Sequence, residues 1–328
     1  MMRIVPILLV ALAGLFLASL ALGDIVIPAR ELVLTLASPA AASPDTHMIL
    51  FELRLPRALL ALLVGMALAV AGTIAQAVMR NPLAEPGILG INAGAALAAT
   101  LLIVALPGAP AALLPWASFA GAGAMASAIY ALSWRGGTSS LRIILVGIGL
   151  SSLTGAATTL LTAFGEIRDV QQAMIWLAGS VYDADGSKVR LLALWLSGPL
   201  ALAWLGAREL DLIRFGDGAA RSLGQHVNLT RALMILLCTL ISGAAVAAAG
   251  LISFVGLIAP HLARRLVGPA HALLIPVAAL TGGALVMAAD LLGRTLIAPA
   301  QLPAGLVTSL IGAPFLGYLL WGRRHVPA

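Results

Sequence analysis

Charged side chains are scarce in this chain. Asp, Glu, Lys and Arg make up 10% of its 328 residues, where a water-soluble domain carries roughly a quarter. So few charges cannot cover a water-facing surface. With 61% hydrophobic residues and a mean hydropathy of +1.05, the chain reads as an integral membrane protein. Aromatics are only 5%, and the apolar/polar alternation of barrel strands is missing, so the spans are expected to be helices. The single cysteine, Cys238, excludes an intrachain disulfide and reads as a small buried apolar group. The only lysine, Lys188, stands in DADGSKV. No G-x-x-x-x-G-K-[ST] loop therefore exists, and this chain does not hold ATP in that way. There is no H-E-x-x-H, no Cys/His cluster, and Asp290 has no second aspartate beside it in a span. Neither an enzyme nor a metal or other cofactor in this chain is expected.

Long apolar runs take the place of charge. At about 20 residues per crossing, runs near 4–23, 57–79, 88–106, 112–134, 141–164, 191–207, 231–251, 252–263, 271–292 and 305–322 give ten helices in one membrane domain, residues 1–328. The piece at 252–263 is the shortest. Residues 4–23, behind Arg3, also fit a secretory signal peptide, but the length of the run and the spans after it favour a retained first helix. Residues 24–53 read as an extramembrane loop. Residues 165–190 hold a short apolar piece, QQAMIWLAGSVY, expected as a surface or re-entrant helix, and 208–228 is the longest polar interruption of the second half.

Net charge +6 and pI 10.6 would suit a nucleic-acid binder, yet the distribution of the basic residues fits membrane topology better. Ten crossings with both termini cytoplasmic put Arg3, Arg80, Arg135, Arg142, Arg208, Arg214, Arg221, Arg231, Arg264, Arg265, Arg323 and Arg324 inside, twelve of the nineteen. Arg30, Arg54, Arg57, Arg168, Lys188, Arg190 and Arg294 fall outside. That bias has the sign the positive-inside rule requires, and no nucleic-acid partner is expected. Gly65, Gly72, Pro82 and Gly90 match Gly243, Gly250, Pro260 and Gly268 at an offset of 178. Chance is a fair rival in a glycine-rich chain. If the echo is real, five crossings separate the copies and the two halves are inverted repeats, a transporter signature.

A few residues could carry work. Arg54 and Arg57, three apart in RLPR, share a helix face beside Pro56. They either anchor the helix at the headgroups or receive an acidic partner outside. Arg294 falls on the same side one turn beyond Asp290, so it either joins them or forms an i,i+4 pair. Residues 215–224, FGDGAARSLG, are a helix-sized piece between glycines. They fit a solvated loop or a lever gripped by a soluble protein, with Ala219, Ala220 and Leu223 as its apolar face. Gln76 and Asn92 sit in apolar segments and either line a polar pathway or bond between helices. The Gly121/Gly123 and Gly147/Gly149 pairs read as close-packing sites.

The stretches RLPRALLALLVGMALAVAG, NPLAEPGILGINAG, DGAARSLG, GLISFVGLIAPHLARRLVG, ADLLGR and LPAGLVTSLIGAPFLGYLL, in this order along nearly the whole chain, resemble the FecCD-type permeases. These are membrane subunits of ABC importers for iron-siderophores, haem and cobalamin. The resemblance implies an all-α polytopic protein of ten helices with two inverted-repeat-like halves, the type II ABC importer permease fold, in a bacterial inner membrane. It implies a second permease subunit (a copy or a paralogue), two cytoplasmic ATPase subunits that bind ATP and Mg, and a periplasmic substrate-binding protein. It also implies docking of that protein on Arg54, Arg57 and Arg294. ATPase coupling is implied through Phe215, Gly216, Asp217, Ala220, Arg221, Leu223 and Gly224. The stretch DVQQAMIWLAGSVYDADG resembles ferric-siderophore members more than cobalamin members. An ATP-independent secondary transporter would instead need ionisable groups at mid-membrane, and no span carries one near its centre.

Overall fold

The computed structural model describes residues 4–41 and 43–322. Arg3 and Arg323–His325, part of the charge count above, lie outside the described residues. Fifteen α-helices follow in order: α1 (Ile4–Ala21), α2 (Ala29–Ala37), α3 (Pro44–His47), α4 (Leu55–Met79), α5 (Ile91–Thr100), α6 (Leu114–Leu132), α7 (Ser140–Phe164), α8 (Ile167–Leu177), α9 (Gly186–Leu205), α10 (Ala207–Arg214), α11 (Asp217–Ser222), α12 (Val227–Ala249), α13 (Val255–Val267), α14 (His271–Thr295) and α15 (Ala304–Gly322). Among the described residues no strand occurs. Seven helical stretches are long and apolar enough to cross a membrane, and shorter apolar helices run over Ile91–Ala105 and Ala304–Leu319.

The short crossing near 252–263 has a different construction from the one expected. Gly250–Phe254 is non-helical, and α13 begins only at Val255 and runs on through Arg264 and Arg265. The thirteen residues of α13 rise about 20 Å at about 1.5 Å each, and Gly250–Phe254, irregular with positive φ at Gly250 (70°) and Phe254 (67°), is left to cover the rest of a bilayer core of about 30 Å. Irregular backbone at this depth is tolerated because it is enclosed by protein. Ser180 donates to the Ala249 carbonyl, Gly305 donates to Gly179 beside Leu251, and the Glu85 carboxylate is hydrogen-bonded by the Phe254 backbone. Counting this crossing gives ten. Ile4 packs near Val267 and Leu274, and α15 starts beside Gly179 at the opposite end. Both described ends of the chain, Ile4 and Gly322, thus fall at one end of the bundle, called here the Arg80 end, the other being the Arg57 end.

Helix α4 is the axis. Every residue from Ala67 to Met79 is buried, and α12, α13 and α14 pack along it. Small residues permit this. A Cβ on Gly65 would lie 2.2 Å from the Gly282 carbonyl oxygen of α14, and one on Gly72 would lie 1.9 Å from that of Gly256 in α13. Backbones at such spacing gain dispersion contacts without a hydrophobic drive between helices. Residues 67–79 of α4 therefore meet only other parts of this chain.

Three other expectations change. Residues 24–53 are not all loop: α2 lies there, and the helix that holds Arg54 and Arg57 starts ten residues before Arg54, at Pro44. The stretch Pro44–Met79 runs as one 36-residue apolar helix because a π-helical turn over Met48–Arg54 absorbs Pro56. Leu55 donates five residues back to Leu50, and Pro56, which has no N–H, follows without breaking the rod. Second, the residue register at offset 178 does not hold. Pro82 lies in the turn after α4 and Pro260 inside α13, while Gly72 is helical and Gly250 ends a helix. What repeats is element order, a long buried helix, an interruption and a short helix, in α4–α5 and in α12–α13. Third, only one glycine of each expected packing pair makes contact: Gly121 meets Gly94 and Gly147 meets Ile88, whereas Gly123 and Gly149 have open space.

Candidate functional site

At the Arg57 end, Arg54, Arg57 and Arg294 do come together, but buried: 7%, 9% and 5% exposed. Arg54 donates through Nη1 to the carbonyls of Leu20 (2.8 Å) and Ala21 (2.9 Å) and through Nη2 to that of Ile25. Arg57 grips Asp290 with Nε and Nη2, at 3.0 and 2.8 Å, and reaches Gln301 Oε1 at 2.9 Å. Arg294 donates to the Ser19 carbonyl, and its Nε lies 3.9 Å from Asp290. The i,i+4 contact between Asp290 and Arg294 is therefore the looser one, and the main partner of Asp290 is Arg57. All three guanidinium groups have partners inside the chain: Arg54 and Arg294 bond carbonyls at and just beyond the end of α1, tying it to α4 and α14, and Arg57 ties α4 to α14 through Asp290. Their arrangement here is that of a frame.

Beside Arg57 opens a cavity of about 770 Å³, walled by Trp116, Phe119, Trp176 and Trp195 and rimmed by Arg57 and Lys188. Arg57 also sits 5.3 Å above the Tyr182 ring. Sequence reasoning missed this cavity. Its walls come from α6, α8, α9 and α12, and no spacing along one helix unites them.

At the Arg80 end, residues 208–228 fold as α10 and α11 rather than as loop. The left-handed Gly216, at φ 101°, turns the chain between them, a backbone conformation that only glycine takes without strain. The expected apolar face of α11 is split. Ala220 turns inward against Ile213 and Val227, while Ala219, Phe215 and Leu223 point out, the last two 75% and 64% exposed. Helix α10 is fixed to the start of α14. Asp211 accepts from the His271 backbone at 3.1 Å and meets its Nδ1 at 2.6 Å, and Arg214 donates to the Pro269 carbonyl at 2.7 Å. Helix α11 is fixed through Asp217, whose Oδ1 accepts from Arg231 Nη2 at 2.8 Å and lies 3.7 Å from Arg80 Nη2.

Gln76 is buried at 3% exposure, and its Oε1 accepts from Arg264 at 2.9 Å. It joins α4 to α13. Asn92 is half-buried in the first turn of α5, with its Nδ2 beside Gly87. Cys238 is fully buried, with its thiol toward the Ala71 carbonyl. No group of three or more His, Cys, Asp or Glu that could hold a metal ion occurs among the described residues.

The FecCD transport family matches this sequence over residues 8–322. The chain belongs to that family. It is 43% identical to an iron(3+)-hydroxamate import system permease protein of Bacillus subtilis, over 84% of this chain and 84% of that one. It is 39% identical to a hemin transport system permease protein of Yersinia pestis, over 98% of both. Among solved structures, an ABC transporter assigned to the metal-chelate type, in an inward-facing conformation, superposes with a TM-score of 0.88 at 29% identity, covering 98% of this chain and all of that one. The FecCD chain is accordingly a multi-pass membrane permease component of an ABC importer, and not itself an enzyme. ATP hydrolysis falls to partner ATPases.

Proposed function

We propose that this FecCD permease carries an iron(III)–siderophore chelate across the inner membrane, with the Arg80 end in the cytoplasm. The carrying observation is the similarity to the iron(3+)-hydroxamate permease along most of both chains. Orientation rests on charge: Arg80, Arg135, Arg142, Arg208, Arg214, Arg221, Arg231, Arg264 and Arg265 gather at one end, which the positive-inside rule assigns to the cytoplasm. Two ATPase subunits would grip α11 through the exposed Phe215 and Leu223, with Gly216, Asp217, Ala220, Arg221 and Gly224 shaping the segment. A second permease, copy or paralogue, would cover the exposed apolar faces of α7 and α15. A periplasmic binding protein would meet the Arg57 end. Docking on Arg54, Arg57 and Arg294 requires its carboxylates to compete with Asp290 and with the carbonyls of residues 19–25, so exposed neighbours such as Arg30 make the first contact.

A haem substrate is the second reading, favoured by the near full-length similarity to the hemin permease. Uptake in cells carrying this chain with its partner subunits, compared for radioiron hydroxamate, radioiron dicitrate, haemin and cyanocobalamin, separates the readings. ATP-dependent uptake of a ferric chelate is expected; uptake of haemin alone overturns the siderophore assignment.

A further inference from the structure

The polar knot at the Arg80 end contains more than a segment for ATPases to grip. Arg231 lies in the second turn of α12 and has no exposed surface, the largest fully buried side chain among the described residues. A guanidinium with no access to water is costly unless its hydrogen bonds are made within the protein. Its two arms reach different elements. Nη2 bonds Asp217, the first residue of α11, at 2.8 Å. Nη1 bonds Thr138 in the α6–α7 loop, the carbonyl at 2.7 Å and Oγ1 at 3.2 Å. That loop is braced in turn: Ser140 Oγ donates to the Val78 carbonyl in the last turn of α4 (2.9 Å), and Arg142 Nη1 to the carbonyls of Ser133 and Gly137. It leads directly into α7, a 25-residue span whose most apolar stretch is only 17% buried within this chain.

We propose that Arg231 is a transmission pin: by holding Asp217 with one arm and Thr138 with the other, it makes α11 and the start of α7 move as one body. Resting on the coupling role proposed for α11, the pin gives that role a route. A displacement of α11 passes through Asp217 and Arg231 to the α6–α7 loop and into the most loosely held of the long inner spans. Helix α10, tied instead to the start of α14 through Asp211 and Arg214, remains as the hinge side. Lysine cannot replace this arginine, because an ammonium is a point charge without the planar fork that reaches two acceptors in fixed directions.

The test uses the full permease assembled with its partner ATPases in liposomes, with bimane labels at Ser222→Cys in α11 or Arg135→Cys in the α6–α7 loop, both exposed. Cys238, fully buried, stays unlabelled. ATP with vanadate is the probe. In the otherwise unchanged chain both labels should shift their emission. With Arg231→Lys the shift at 222 should persist and the shift at 135 should vanish, a separation that a general loss of structure does not produce. Both shifts persisting in Arg231→Lys overturns the pin. No shift at either label in the unchanged chain overturns the coupling role of α11 itself. Should Arg231→Lys not accumulate in membranes, Asp217→Asn carries the same comparison, and an undiminished shift at 135 there overturns the pin equally.

Discussion

The Arg57–Asp290 pair has side chains only 11% and 4% exposed, and that burial sets what each substitution costs. Removing one partner leaves the other charge buried and uncompensated, at about 3–5 kcal/mol, whereas replacing both with apolar groups is often near neutral. Arg57→Leu and Asp290→Leu should each lower the melting temperature of the detergent-solubilised protein, and the double variant should recover most of the loss. If Arg57 served only to dock a partner, Arg57→Leu would leave the melting temperature unchanged, and equal stability of wild type and single variants sinks the frame reading. The sequence pointed to Arg54, Arg57 and Arg294 through their isolation in an apolar chain and their common side. It could not reveal that Asp290 and the carbonyls of residues 19–25 already occupy them, because those partners are up to 275 residues away.

Glycine packing is decided element by element. The sequence displays small residues along α4, α6 and α7 but not which of them meet a neighbour, since that depends on how each helix is rotated. Gly72 lies under the Gly256 carbonyl and Gly123 faces open space. Gly72→Ala should therefore separate α4 from α13, at an overpacking cost of about 1–3 kcal/mol or more, while Gly123→Ala should be neutral or slightly stabilising through helix propensity. Thermal melts of the two variants side by side check this, and equal melting temperatures reject the close approach. The same limit hid the start of α4. A proline between two arginines reads as a helix start, and only the π-helical turn before Pro56 lets the rod run on from Pro44.

At the scale of the whole molecule, ten crossings were legible because hydropathy and the count of basic residues agree, and the least regular of them decides the topology. If Gly250–Val267 crosses, Ala270 emerges at the end that holds Arg135 and Ser222; if it does not, Ala270 stays at the end that holds Arg190. All four positions are exposed, and Cys238 is silent, so single cysteines at 135, 190, 222 and 270 report by their reaction with a membrane-impermeant maleimide. In spheroplasts of intact inner membrane, Arg190→Cys should react at once, and the other three only after lysis. Ala270→Cys reacting together with Arg190→Cys would remove the irregular-plus-helical crossing. The element repeat of α4–α5 and α12–α13 would go with it, since it needs the interruption after α12 to lie inside the bilayer. The ties of Glu85 to Phe254 and of Gln76 to Arg264 argue for the crossing. Each joins the interruption or short helix of the second half to the first half, and such links form only when both segments occupy the same interior.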